Sequence, residues 1–300
     1  MDMTQNKCCR HGANLRRRRR RRRKILRSII FSCSIIAVAV FVAVGSSMIR
    51  SGDGRTNRYD VEAGNNTYDN AVIENSKISE KNKIQNNQSM LDDIMNSTQY
   101  PKQLKDLALK NEEALEFVYD YPAEHVKEHT IDLTEEASMD SVPLFVQWDK
   151  RWGYEKYSGN FFAASGCGPT TPSMVVVYLT HNREASPIAV AKYSKEAGYS
   201  VDGSGSSWTL ISEGCRHYGV KAKTVALDES RMKAELDEGH PIVVNVGPGD
   251  FTDTGHFMVI TGYDDEGFSI NDPNSIEKSG KRWLFKNISS QIRAVWSMYV

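Results

Sequence analysis

One cysteine in this 300-residue chain is set between two glycines, at Ser165-Gly166-Cys167-Gly168-Pro169-Thr170, and an apolar run over residues 174–179 follows it as a buried helix would. That setting suits a nucleophilic thiol. The glycines leave room for a sharp turn and for a substrate carbonyl, and Pro169 fits a first helical turn, where a missing N–H costs nothing. A thiolate there would meet the positive end of the helix, which lowers the thiol pKa and offers N–H donors to an oxyanion. The same hexapeptide also suits a small buried cysteine in a glycine turn.

A nucleophilic cysteine needs a base and a group to orient that base. Both stand in one C-terminal segment, Gly255-His256-Phe257-Met258-Val259-Ile260-Thr261-Gly262-Tyr263, then Asp264-Asp265-Glu266-Gly267, then Phe268-Ser269-Ile270-Asn271-Asp272-Pro273. Two apolar runs around an acidic, glycine-ended turn predict a β-hairpin. His256 and Asp272 lie eight residues either side of Asp264, so a hairpin folded about Asp264 sets them opposite each other. Asn271 would point to the other face, which makes Asp272 the orienting carboxylate, with Asn274 as a substitute.

Residues 142–300 resemble the C39-like branch of the papain-like cysteine peptidases, related to the bacteriocin-leader peptidases. The matching pieces are Val142-Pro143-Leu144, Gln147-Trp148-Asp149, Arg151-Trp152-Gly153, Gly166-Cys167-Gly168-Pro169-Thr170, Gly255-His256-Phe257, Thr261-Gly262-Tyr263-Asp264 and Asn271-Asp272-Pro273. The resemblance implies Cys167 as nucleophile, His256 as general base then acid, Asp272 as orienter and Gln147 as side-chain donor to the oxyanion. The leader peptidases carry their glutamine six residues before the cysteine, where this chain has Phe161. Gln147 stands twenty before, so residues 148–166 must loop back for it to reach. Pro172 would remove a hydrogen bond from the cysteine helix unless the regular helix starts late.

The fold class expected is α+β, papain-like, with helices carrying the cysteine and an antiparallel sheet carrying His256 and Asp272. Helices are predicted from Pro187 to Gly198, over 207–218 and over 228–238. Strands are predicted over 242–246, 256–263 and 268–271, and 292–299 forms a strand or a helix. The segments 202–207 and 247–250 read as cleft loops, the second delivering His256. Tyr100 to Tyr121 carries leucines at helical spacing and reads as one or two helices docked on the catalytic domain, ended by Pro122.

Zero net charge conceals an asymmetry: residues 1–50 carry thirteen bases and one acid, and the other 250 carry 25 bases against 37 acids. Eight arginines, Arg16 to Arg23, precede a charge-free run over residues 28–49, long enough to span a bilayer. The basic flank then stays in the cytoplasm and the rest is exported. A cleaved signal peptide, cut near Ala43-Val44-Gly45, is the competing reading. The predicted organisation is a basic tail (1–27), a transmembrane helix (28–49), a disordered stalk (50–99), a helical segment (100–139) and a peptidase domain (140–300).

Five cysteines make no disulfide framework. Cys8, Cys9 and Cys33 fall before or within the apolar run, leaving Cys167 and Cys215, and the enzyme reading requires these two to stay unpaired. His181, His217 and His240 lack metal-ligand spacing, so neither metal nor cofactor is expected. Nor is nucleic acid, because the arginine run adjoins a spanning segment. The function expected is a membrane-anchored extracytoplasmic thiol hydrolase cutting a peptide amide through Cys167, His256 and Asp272. The alternatives are a cell-wall amidopeptidase or acyltransferase, and a catalytically silent peptide-binding domain.

Overall fold

A computed structural model describes residues 66–300, of which Asn70–Val300 form one compact unit. The longer helices are α1 (Asn66–Asn96), α2 (Lys102–Lys110), α3 (Cys167–Thr180), α4 (Pro187–Glu196) and α5 (Glu229–Asp237). The main sheet contains β1 (Lys221–Thr224), β2 (Ile242–Val246), β3 (His256–Asp264), β4 (Gly267–Asn271), β5 (Arg282–Trp283) and β6 (Ile292–Tyr299). Its spatial order is β1-β6-β2-β3-β4-β5, antiparallel throughout. This is the expected α+β class, and 292–299 is a strand.

Both sheet faces are covered. Val243, Phe257, Val259, Trp296 and Met298 pack with Met174, Val175, Val176 and Val177 of α3. Ile242, Val244, Val246, Met258 and Ile260 alternate with them along β2 and β3 and pack with Met232 and Leu236 of α5. Three consecutive valines are poor helix formers, yet all three are fully buried, so burial on every side holds α3 where propensity would not. α3 does not start late. It begins at Cys167 and runs through Pro172, which is buried inside it.

The hairpin does not fold about Asp264. Asp264 pairs with Gly267 across a two-residue turn, Asp265-Glu266, and the register then shifts between Ile260 and Gly262. That bulge at Thr261 matters. The ladder ends at Val259–Asn271, so one further step brings Asp272 abreast of Met258, two residues from His256 and of the same parity. Without the shift Asp272 would stand abreast of Val259, on the other face. The predicted partners therefore meet diagonally rather than as an opposed pair.

Other expectations are corrected. Residues 66–96, placed in a disordered stalk, form α1: no Gly or Pro interrupts them, and Met90, Leu91 and Ile94 anchor the last turns in an apolar cluster. Residues 50–65, the tail and the run at 28–49 lie outside the described residues. Among the described residues no helix is long and apolar enough to cross a membrane. The helix predicted over 207–218 breaks at Glu213 into a turn, Thr209–Ser212, and a 3-10 segment, Gly214–Tyr218. Gly214 presses on Tyr199 and Leu210 at that break. A strand not predicted from the sequence, β1, comes before α5. Pro122 does not end the helical segment but sits in a further turn, Tyr121–Glu124, where a proline in the first turn is tolerated.

The segment around α2 is part of the core. Ile94, Leu104, Leu107, Leu115, Phe117 and Val118 pack with Phe161 and Ala163 of the turn leading to Cys167. Phe117 stacks on Tyr154 at 4.2 Å and closes on Gly153, where an added Cβ would lie 2.7 Å from its ring. Phe117→Ala is expected to destabilise the chain by about 3–5 kcal/mol, read from urea unfolding. A change within 1 kcal/mol would show that this segment merely rests on the surface.

Candidate active site

Cys167 is the first residue of α3, so its backbone N–H has no helical partner to satisfy. The turn before it is pinned by Ser165, whose hydroxyl donates to Tyr157 O at 2.8 Å and Phe161 O at 3.0 Å. Both flanking glycines are required by space rather than by φ. A Cβ on Gly166 would overlap Phe162, and one on Gly168 would overlap Ser206 Oγ.

His256 opens β3 and is 6% exposed; Asp272 follows β4 and is fully buried. His256 Nε2 and Asp272 Oδ1 are 2.6 Å apart. The other ring nitrogen is left for Cys167, which hydrogen-bonds His256. Burial acts against the imidazolium, but the charge and hydrogen bond of Asp272, with those of Cys167, raise His256 to about 10. Burial likewise acts against the Cys167 thiolate, and the hydrogen bond and charge of His256, with the Phe257 N–H, bring the thiol below its ordinary value of 9.0. The structure thus brings together Cys167, His256 and Asp272. Their arrangement favours a thiolate–imidazolium pair.

Gln147 reaches the turn before Cys167. Residues 148–166 do loop back, and Gln147 N donates to Pro273 O at 2.7 Å. Its side-chain Nε2 donates to Ala163 O at 2.7 Å and to Asn274 Oδ1 at 3.3 Å, so both amide hydrogens are engaged. The Ala163 carbonyl fixes which end of the amide faces it. Gln147 is a strut between the turn before Cys167 and the loop after Asp272, and it does not line the cleft that Cys167 lines. Asn274 does not replace Asp272 as partner of His256. Its backbone N–H donates to Asp272 Oδ1 at 2.8 Å instead.

The loop after Asp272 is clamped from outside the domain expected over 140–300, by residues that sequence reading missed. Asn111 Nδ2 donates to Asn274 O at 2.9 Å, and the Glu113 carboxylate accepts from the Ser275 hydroxyl and from the N–H of Ile276 (2.7 Å) and Glu277 (3.1 Å). Nothing in their local sequence marks Asn111 and Glu113, because the contacts cross more than 160 positions. Asn271 faces away, donating to Val142 O and Pro143 O.

The cleft beside Cys167 has a volume of about 770 Å³. The loops expected to border it do so, through residues 203–206 on one side and Val246, Gly247, Pro248 and Gly255 on the other. Ser158, with φ of 52°, ties one wall together: its hydroxyl donates to Val201 O and accepts from Gly205 N at 3.0 Å. Cys215 plays no part in the cleft. It is unpaired and buried, its Sγ donates to Leu210 O at 3.5 Å, and burial pushes its pKa up to about 12.

Among solved structures, the chain is similar to the peptidase domain of Streptococcus ComA, a bi-functional ABC transporter involved in a quorum sensing pathway. Identity is 18% and the TM-score 0.35, over 45% of this chain and 90% of that one. It is also similar to a C39-like peptidase from Bacillus anthracis, at 16% identity and a TM-score of 0.33, over 53% of this chain and 95% of that one. No curated protein matches. The model of the Peptidase_C39 like family matches residues 139–300, more than half of the chain, and the chain belongs to that family.

Proposed function

We propose that this chain is an active cysteine peptidase, anchored by residues 28–49 with its catalytic domain outside the cytoplasm. The observation that carries the catalytic reading is the buried 2.6 Å contact between His256 Nε2 and Asp272 Oδ1, with Cys167 hydrogen-bonded to the same ring at a helix start. The placement rests on the arginine run and the apolar segment that follows it.

The Cys167 thiolate adds to the carbonyl carbon, and the tetrahedral oxyanion forms near the Cys167 backbone N–H. Gln147 can join as a second donor by exchanging its longer, 3.3 Å bond to Asn274 for the oxyanion. The His256 imidazolium protonates the amide nitrogen, the C–N bond breaks and the amine leaves, with a thioester on Cys167. Neutral His256 then takes a proton from water, which attacks the thioester and releases the acid. That proton stays on His256 and restores the ion pair. Asp272 remains a carboxylate throughout and holds the ring.

With the full chain and a library of internally quenched peptides, cleavage is expected for the wild type and none for Cys167→Ala. Asp272→Asn should cut turnover by orders of magnitude, about 10⁴ in the comparable serine triad. Undiminished cleavage by either variant, or none by the wild type, contradicts the reading. Iodoacetamide should alkylate Cys167 with an acid limb below the ordinary thiol value of 9.0, because protonation at lower pH removes the thiolate. Cys215, held near 12, should react only after unfolding. Equal rates at the two thiols would overturn the assignment.

A further inference from the structure

Among the residues lining the cleft besides Cys167, one side chain is charged, and it is Arg293. The rest of the wall is small or neutral: glycines, serines, Ala164, Thr254, Asn160 and Asn245, with Trp208 as an apolar surface. Arg293 reaches the cleft through an irregularity. β6 pairs Ile292 with Val246 and Ala294 with Asn245, so Arg293 is the extra residue of a β-bulge beside β2. Bulges re-aim side chains, and this one lays the guanidinium against Gly247, where an added Cβ would lie 2.8 Å from Nε.

The fold takes up only part of the guanidinium's donors. Nη1 donates to Ser290 O at 2.9 Å, and no carboxylate pairs with it among the described residues. Nor is it what activates the thiol, since His256 and the Phe257 N–H are the groups that lower Cys167. A planar, permanently charged fork left open in a neutral cleft matches a carboxylate.

We propose that Arg293 binds a substrate carboxylate, so that the peptides taken by this cleft carry an acidic side chain or a free C-terminal carboxylate within reach of the scissile bond. As a statement about substrate this rests on the peptidase reading. As a statement about binding it does not. A charge-assisted fork of this kind should favour the carboxylate over its amide by about ten-fold or more.

The test uses full-length Cys167→Ala, immobilised, and two octapeptide pools. One is acetylated and amidated with Glu or Gln placed in turn at each position; the other has a free C-terminus. Retained peptides are counted by mass spectrometry. The expected result is a Glu-over-Gln ratio of about ten or more at one position, or the same enrichment of the free-acid pool, which identifies the source of the carboxylate. Adding Arg293→Gln should bring that ratio to about one, Arg293→Lys should keep part of it and Arg293→Glu should select Lys. Each ratio is internal to its variant, so partial loss of folded protein cancels. No enrichment, or enrichment that survives Arg293→Gln, overturns the proposal. If the chain with Cys167 intact leaves the enriched peptides uncut, the peptidase reading fails while the Arg293 assignment stands.

Discussion

A fully buried carboxylate is costly unless something positive meets it, and in this protein the partner is the ring of His256. Asp272 Oδ1 accepts from His256 and from the Asn274 N–H, and Oδ2 has no partner among the described residues. Burial works against a charged ring, but the neighbouring Asp272 carboxylate raises the His256 pKa and so favours the imidazolium. His256 and Asp272 are both buried and each offsets the cost of burying the other, while Cys167 is half-buried beside them at the cleft. The stabilisation that His256 lends to the fold has a definite direction. It is complete below the ordinary histidine value of 6.5 and is lost as pH rises through about 10.

Such a contact demands a rigid frame, because the residues come from separate parts of the chain. A bulge at Thr261 gives His256 and Asp272 the same parity, and a helix held by burial rather than propensity presents Cys167. Gln147 braces the approach to Cys167 against the loop after Asp272, and Asn111 and Glu113 hold that loop from the other side. The clamp includes residues outside 139–300, the span matched by the family model. Positioning of the acid is therefore shared between the family domain and the helical segment that precedes it.

Much of this was legible in the residues. The glycine-flanked cysteine, the apolar run behind it and the hairpin are local signals, and local signals survive into the fold. Asp228 and Ser186, for instance, cap α5 and α4 as their types suggest. What failed depends on distance. The pivot at Asp264 missed because the turn falls further on, at Asp265-Glu266; the bulge at Thr261 has no strong sequence mark, and the same blindness hid Arg293, an ordinary-looking strand arginine until the shift at Ile292–Ala294 turns it toward the cleft. α1 was hidden because it is polar along most of its length and makes its apolar contacts through its last turns. The distance of Gln147 from the cysteine was resolved by a looped-back chain, yet its hydrogen bonds place it as a brace beside the site.

A nucleophilic Cys167 depends on His256 being an imidazolium beside a thiolate. Side-chain nitrogen NMR of the full chain, with His256 assigned by substitution, measures this directly. The ring is predicted to stay protonated well above the ordinary value of 6.5, to titrate near 10, and to move toward 6.5 in Asp272→Asn. A His256 that titrates near 6.5 in the unaltered protein would mean that the thiol keeps its proton and that the contact with Asp272 does not create the nucleophile.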